Sequence, residues 1–306
     1  MARQTSGASA RVEYALFAAG RGALKALPLR SAASLGVCLG SITAAADRIN
    51  RPVAMCNLEI AFPLWTASQR LATLKAMYRN WGRMAAEWCH LDELTPDNIS
   101  SFAHYEGMEN WKHGLELSAG RGGFLFTGHF GNFELLILAH SLFGHPFSIV
   151  HRPLRNSLID AVAFQLRTSA GNHLIPRKGA AKEITSIVRQ GGVVGLMIDL
   201  DVRRGVFVDF FSLKACTTDS LARFAITTGT PAVPVFIVRQ DETLHHRIEV
   251  LPPLDIVREG DHEEAIRETT QRATRVVEDM IRQHPDHWNW IHRRWKTRPP
   301  GEKRFY

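Results

Sequence analysis

Cysteine is scarce in this 306-residue chain, and the four present, Cys38, Cys56, Cys89 and Cys216, form no Cys-x-x-Cys pair. That spacing argues against a structural zinc site or a redox motif. Scattered thiols read as packing residues in a reducing compartment. Long hydrophobic runs are missing as well. The longest early uncharged stretch, Ser31 to Ala46 between Arg30 and Asp47, is weakly apolar and rich in Ser, Gly and Ala. It falls short of the roughly 20 residues that a spanning helix needs. The apolar stretch Val12 to Gly20 stops at Arg21, with no secretory cleavage pattern after it. There is no internal repeat, no low-complexity tract and no nucleic-acid-binding motif.

What the chain does have is an ordinary globular composition, 45% hydrophobic and 22% charged, with a formal net charge of +7 and a pI near 9.5. A basic balance favours acidic partners: nucleic acid, an anionic membrane or an acidic carrier protein. Within the amino-terminal region the basic residues Arg11, Arg21, Lys25, Arg30 and Arg48 outnumber Glu13 and Asp47. Such a basic, moderately apolar helical segment either lies in a membrane interface or packs on the domain behind it. Residues 1–50 are therefore read as an amino-terminal helical segment and 51–306 as the main domain.

Hydrophobic periodicity makes Arg11 to Leu94 helical, with a break at Pro63. From Gly123 short apolar strands alternate with helices. The strands are Gly123–Thr127, Phe147–Val150, Leu174–Ile175, Val193–Ile198, Ala232–Val238 and the alternating His246–Leu251. The helices are Phe133–Leu142, Leu158–Ala170, Ala180–Gln190, Asp219–Thr228 and an amphipathic Glu263–Arg282. This order predicts an α/β layered fold with a mixed or parallel central sheet flanked by helices, plus the helical amino-terminal region. Ligands in such sheets gather at the carboxyl ends of the strands. His129 and Asp199 both fall there.

The sharpest local feature is Thr127-Gly128-His129-Phe130-Gly131-Asn132-Phe133-Glu134. A histidine follows a buried strand, glycines flank it, and a carboxylate comes five positions later as a helix begins. The glycines permit a tight turn and a close ligand approach. The imidazole suits a general base acting on a hydroxyl, with Glu134 reaching back to hold its other nitrogen. The free amides of the new helix, around Gly131 and Asn132, suit an oxyanion or a phosphate. The acceptor hydroxyl is itself the nucleophile, so no Ser or Cys is required. The same histidine could instead be a structural turn residue.

The segment from Gly128 to Glu134 resembles the His-x4-Asp/Glu motif of the bacterial lipid A biosynthesis acyltransferases, the lauroyl/myristoyl transferase family. The likeness continues in order along the chain. It takes in Asn57 to Pro63, His151-Arg152-Pro153-Leu154-Arg155-Asn156, and Ile198-Asp199-Leu200-Asp201 with Gly205 to Phe211 and Thr217-Thr218. It ends with Thr230 to Phe236 and the terminal run Pro285 to Pro299. Leu200 and Ser212 stand where the family usually has Gln and Gly. The resemblance implies a glycerolphosphate-acyltransferase-like fold and His129 as catalytic base with Glu134 as its partner. It implies a phosphate or polar head group on Arg152, an acyl-carrier-protein or coenzyme A thioester as donor, and a hydroxyl of a lipid A precursor or related glycolipid as acceptor. It also implies attachment at the cytoplasmic face of the bacterial inner membrane, with no metal or organic cofactor.

Asp199 and Asp201 are two residues apart at a strand end, so both could face the site and position substrate, or pair with Arg203 and Arg204. An Asp-x-Asp metal site is the weaker reading. Trp288, Trp290 and Trp295, interleaved with Arg293, Arg294, Lys296 and Arg298, fit a lipid interface, a nucleic-acid surface or plain core packing. Nucleic acid ranks last. Two other functions fit the same residues: a thioesterase or lipid hydrolase in which the base activates water, and a lipid-binding protein without catalysis.

Overall fold

A computed structural model describes residues 7–240, 242 and 244–306; the first six residues of the amino-terminal segment lie outside it. Four helices open the chain: α1 (Ala8–Lys25), α2 (Leu29–Ala46), α3 (Arg51–Ala61) and α4 (Ala67–His90). A reciprocal capping box starts α4, in which Thr66 Oγ1 accepts from the Gln69 amide and Gln69 Oε1 accepts from the Thr66 amide. Then come β1 (Ala103–Glu106), α5 (Met108–Leu117), β2 (Gly123–Thr127), α6 (Phe133–Leu142), β3 (Ser148–His151), α7 (Ser157–Thr168), β4 (His173–Pro176), α8 (Ala180–Arg189) and β5 (Val193–Met197). A two-stranded hairpin, β6 (Val206–Phe210) and β7 (Leu213–Thr217), precedes α9 (Ser220–Thr228), β8 (Ala232–Arg239), β9 (His246–Val250) and α10 (His262–Gln283).

Seven strands form one mixed sheet in the order β1-β9-β8-β2-β5-β3-β4. From β8 to β4 all neighbours are parallel, and β9 turns antiparallel to β8. The apolar run of β2 is buried on both faces, as expected of a central parallel strand. Phe124 and Phe126 pack toward α8, α9 and α10, whereas Leu125 packs toward α6. The periodic elements expected from sequence are present within a residue or two. β1, α5 and the β6–β7 hairpin are additions. The hairpin turns through Phe211 and Ser212, both in the left-handed region at φ 52° and 60°, a conformation that favours glycine.

The helix α2 meets the minimum length and apolarity for a membrane span. It starts two residues earlier than the uncharged run and includes Arg30. Its small face, Ala32, Gly36, Gly40 and Ala44, packs along α4. The backbones touch: a Cβ on Gly36 would collide with the carbonyl of Gly82, and one on Gly82 with the carbonyl of Gly36.

The carboxyl tail wraps back across the sheet end. Trp288, Trp290 and Trp295 are completely buried, which is the core-packing reading of that segment. Asn57 Nδ2 holds the tail in place by donating to the carbonyls of Trp290 and His292, both at 2.7 Å. Arg294 is buried rather than solvated. It lies over the Phe210 ring at 5.0 Å and donates to the Cys216 carbonyl at 2.9 Å.

Candidate active site

Sheet register brings the key pair together. Thr127 of β2 pairs with Met197 of β5, so His129 and Asp199 each sit two residues beyond a matched position. His129 Nδ1 lies 2.9 Å from Asp199 Oδ1, and the His129 amide donates to Asp199 Oδ2 at 2.9 Å. A third donor, the indole N–H of Trp288, reaches the same Oδ2 at 2.9 Å. Asp199 is fully buried and held as an anion by these donors. Burial works against its charge, yet His129 and the hydrogen bonds keep its carboxyl below the usual range. Burial likewise opposes a proton on His129, and the Asp199 charge and hydrogen bond overcome it, raising the imidazole above its ordinary value. With Nδ1 occupied, Nε2 is the nitrogen left to act as base.

The carboxylate expected beside His129 is therefore not the one bonded to it. Glu134 stands in the first turn of α6, where it forms a buried fork with Arg167 of α7: Nε donates to Oε2 at 2.9 Å and Nη2 to Oε1. Helical geometry aims the side chain at the neighbouring helix, so five residues of separation do not make a local contact. Glu134 still adds a longer-range negative field at His129. Sequence reasoning missed Arg167, and it named Trp288 without a place at the site. The tryptophan's place in the terminal run was the available signal for the second.

The substrate-binding candidates divide. Gly131 is left-handed at φ 56°, its Cα pressed against the Ile237 carbonyl, and its amide donates to the His287 carbonyl at 2.8 Å. Asn132 is buried and engaged twice: its Oδ1 caps α6 by accepting from the Leu135 amide, and its Nδ2 donates to Glu87 Oε2 at 2.7 Å. Glu87 in turn binds Arg239 and His246. Both residues shape the turn, and Gly131 also lines the cleft beside His129. The amides of Phe133 and Glu134 have no partner among the described residues and form the open first turn of α6. Asp199, a substrate-binding candidate from sequence, is enclosed by His129 and Trp288. Asp201 accepts from the Thr297 amide at 2.9 Å and hydroxyl at 3.0 Å, and its own amide donates to His292 Nε2 at 2.9 Å. Neither aspartate pairs with Arg203 or Arg204. Arg152 is exposed, one residue past β3.

Two cavities meet at His129 and Phe133. One, about 630 Å³, runs inward between the sheet and α6 past Leu136, Ile137, Phe147 and Val235, with Arg152, Arg177 and Asp201 also on its wall. The other, about 600 Å³, is an apolar cleft between α1 and α4 lined by Leu16, Phe17, Leu24, Trp81 and Trp88. Among the described residues no group of three or more His, Cys, Asp or Glu is placed to hold a metal ion.

A histidine–carboxylate pair therefore lies where two largely apolar cavities meet. The profile of the family described as bacterial lipid A biosynthesis acyltransferase matches residues 6–297. The chain belongs to that family. It is 29% identical over 274 residues to the lipid A biosynthesis lauroyltransferase of Escherichia coli (strain K12), covering 87% of this chain and 86% of that one. The palmitoleoyltransferase of the same organism is 25% identical over 284 residues, covering 92% and 90%, and its myristoyltransferase 25% identical over 273 residues, covering 88% and 82%. Among solved structures, the 1-acyl-sn-glycerophosphate acyltransferase PlsC of Thermotoga maritima aligns with 76% of this chain and 97% of its own, at 15% identity and a TM-score of 0.38.

Proposed function

We propose that this acyltransferase moves a fatty acyl chain from an acyl-carrier-protein or coenzyme A thioester onto a hydroxyl of a lipid A precursor or related glycolipid. His129 serves as general base, oriented by Asp199, whose charge raises its basicity. The observation that carries this reading is His129, bonded through Nδ1 to a buried carboxylate, on the wall shared by two apolar cavities.

The acceptor hydroxyl gives its proton to His129 Nε2 as its oxygen attacks the thioester carbonyl carbon. The developing oxyanion is met by the free amides of Phe133 and Glu134 at the start of α6. As the tetrahedral species collapses, the carbon–sulfur bond breaks and the imidazolium returns the proton to the leaving thiolate. The acyl chain of the donor lies in the cavity beneath α6, whose depth governs chain length. Arg152 and Arg177, on that cavity's wall, meet a phosphate or head group. The cleft under α1 receives the apolar part of the acceptor. Glu134, through Arg167, fixes α6 against α7 and so the position of those amides.

Residues 1–50 hold the enzyme to the cytoplasmic face of the inner membrane. Val12 and Leu16 of α1 and Leu35, Leu39 and Ile42 of α2 are exposed apolar side chains, and Arg11, Arg30 and Arg48 accompany them.

The test is incubation of the detergent-solubilised protein with acyl-carrier-protein and coenzyme A thioesters and a host lipid extract, read by mass spectrometry. A lipid gaining one acyl chain, absent in His129→Ala, is the expected result. Free fatty acid at the same rate without acceptor would mean hydrolysis instead. Comparing Asp199→Asn with Glu134→Gln assigns the partner, since the first should lose far more turnover.

A further inference from the structure

On the far side of α4 from the apolar cleft is a second concave site, about 720 Å³, between α4, the end of β8, β9 and the carboxyl end of α10. Its wall carries Arg79, Arg83, Arg239 and Arg247 with His284, against two carboxylates, Glu242 and Asp286. The carboxylates are already engaged or easily removed. Asp286 accepts from Asn80 Nδ2 at 2.8 Å and pairs with His287 Nδ1 at 3.0 Å. Glu242 pairs with Arg83 while its side chain remains 79% exposed on the loop after β8.

Arg239 is bonded to Glu87, and Arg247 to Glu106 and Glu249. The Arg79 guanidinium has no hydrogen bond or ion pair among the described residues. Burial and the neighbouring Arg239 and Arg79 charges pull the Arg83 guanidinium below its ordinary value. Arg79 is thus the cation on this wall without a carboxylate partner among the described residues, and Arg83 is held by an exposed glutamate. Planar guanidinium forks match phosphate oxygens two at a time.

We propose that this pocket is a phosphoryl-binding site in which Arg79 and Arg83 grip a phosphate ester and Glu242 is the side chain it displaces. A narrow gap lined by Asn80, Trp81, Met84 and Gly131 separates the pocket from the cleft beside His129. The phosphoryl group therefore lies outside the acyl-transfer centre. Neither mouth of the catalytic cavities contributes Arg79 or Arg83.

Calorimetry on the full chain in detergent tests this with two probes: inorganic phosphate, and a phosphorylated glycolipid alongside its phosphatase-treated form. Arg79→Gln should weaken phosphate-bearing ligand by about tenfold, because one charge-assisted hydrogen bond is lost. Glu242→Gln should tighten it by about threefold, a gain that misfolding cannot mimic. Lys75→Gln, an exposed charge on the same helix, should change nothing. Binding of inorganic phosphate with this pattern identifies a free-anion site. Binding of the glycolipid only while phosphorylated identifies a headgroup site. Equal affinities across all variants, or an equal loss in Lys75→Gln, would overturn the assignment. The binding readout is independent of turnover, so a failure here leaves the acyl-transfer reading standing.

Discussion

The two ends of this chain look alike in composition and behave oppositely in the fold. Residues 8–46 and 285–298 both mix basic side chains with bulky apolar ones. At the amino end Leu16 is 72% exposed and Ile42 58%, whereas at the carboxyl end three tryptophans and Arg294 are wholly buried. The difference lies in partners. The helix α2 offers small residues to α4 and leaves its large ones outside. The tail is threaded between α3, the hairpin and the sheet end, where Trp288 reaches Asp199 and Asn57 fixes the carbonyls. One end holds Asp199 from within through Trp288, and the other presents a face to the surroundings.

The largest effect should come from the point where the tail meets the base. Asp199→Asn removes the charge that raises His129 and leaves the imidazole without its orienting anion. Turnover should fall by about 10²–10⁴-fold, the range of a general base contribution. The sign of the pH effect follows. In the proposed mechanism the base works neutral, so wild-type kcat/KM should fall as pH drops through the raised value of His129. Removing the Asp199 charge lowers that value, and the acid limb should move to lower pH. A limb that stays in place would mean that Asp199 does not tune the base.

Next in size is Trp288 itself. Trp288→Ala opens a cavity in the core and should destabilise by about 3–5 kcal/mol, read as a drop in denaturant midpoint. Trp288→Phe keeps most of the packing and deletes the indole donor. It should cost about 1.5–3 kcal/mol at most, the value of a hydrogen bond to a charged group. Its acid limb should shift in the opposite direction to that of Asp199→Asn, because an Asp199 anion with one fewer donor holds the imidazole proton more strongly. Loss of stability without that shift would leave Trp288 a packing residue alone.

The strand–turn–helix around His129 was legible because a short apolar run, two glycines and a helix start are all local signals. The choice of carboxylate was not. Glu134 is near in sequence but is turned toward Arg167 by the helix it begins. Asp199, 70 residues away, arrives only through the register of β2 and β5. Parallel pairing leaves no trace in residue spacing. The hairpin escaped for a similar reason, since Phe211-Ser212 carries none of the Asn-Gly chemistry that marks such turns. β1 is a short edge strand with polar His104 and Glu106, too brief for alternation to stand out. The burial of Trp288, Trp290 and Trp295 depends on what the tail packs against, which the local string does not record.

At the amino end the contact to break is between backbones. Gly82→Val places a branched side chain where the Gly36 carbonyl lies, so α2 must move off α4. The sheet lies beyond this contact, while Trp81 and Met84 of the same helix line the cleft beside His129. We expect faster amide hydrogen exchange across α2, with a loss of about 1–3 kcal/mol typical of overpacking, and the β2–β5 strands unchanged. Equal loosening of the sheet would show that the two ends form one cooperative unit.

The smallest effect on the fold should come from the outward face of α2. Leu35, Leu39 and Ile42 recur at helical spacing opposite the small residues, so replacing all three by Ser removes apolar area that no protein group covers. The melting temperature should change by no more than a few degrees, because surface substitutions lie within about 0.5 kcal/mol each. Partition onto anionic vesicles should fall by about tenfold or more if that face lies in the interface, since each fully buried side chain of this size contributes roughly 1.5–3 kcal/mol. The same substitutions on a merely solvated face would leave vesicle binding as it was, and the contrast between the two ends would then be one of packing alone.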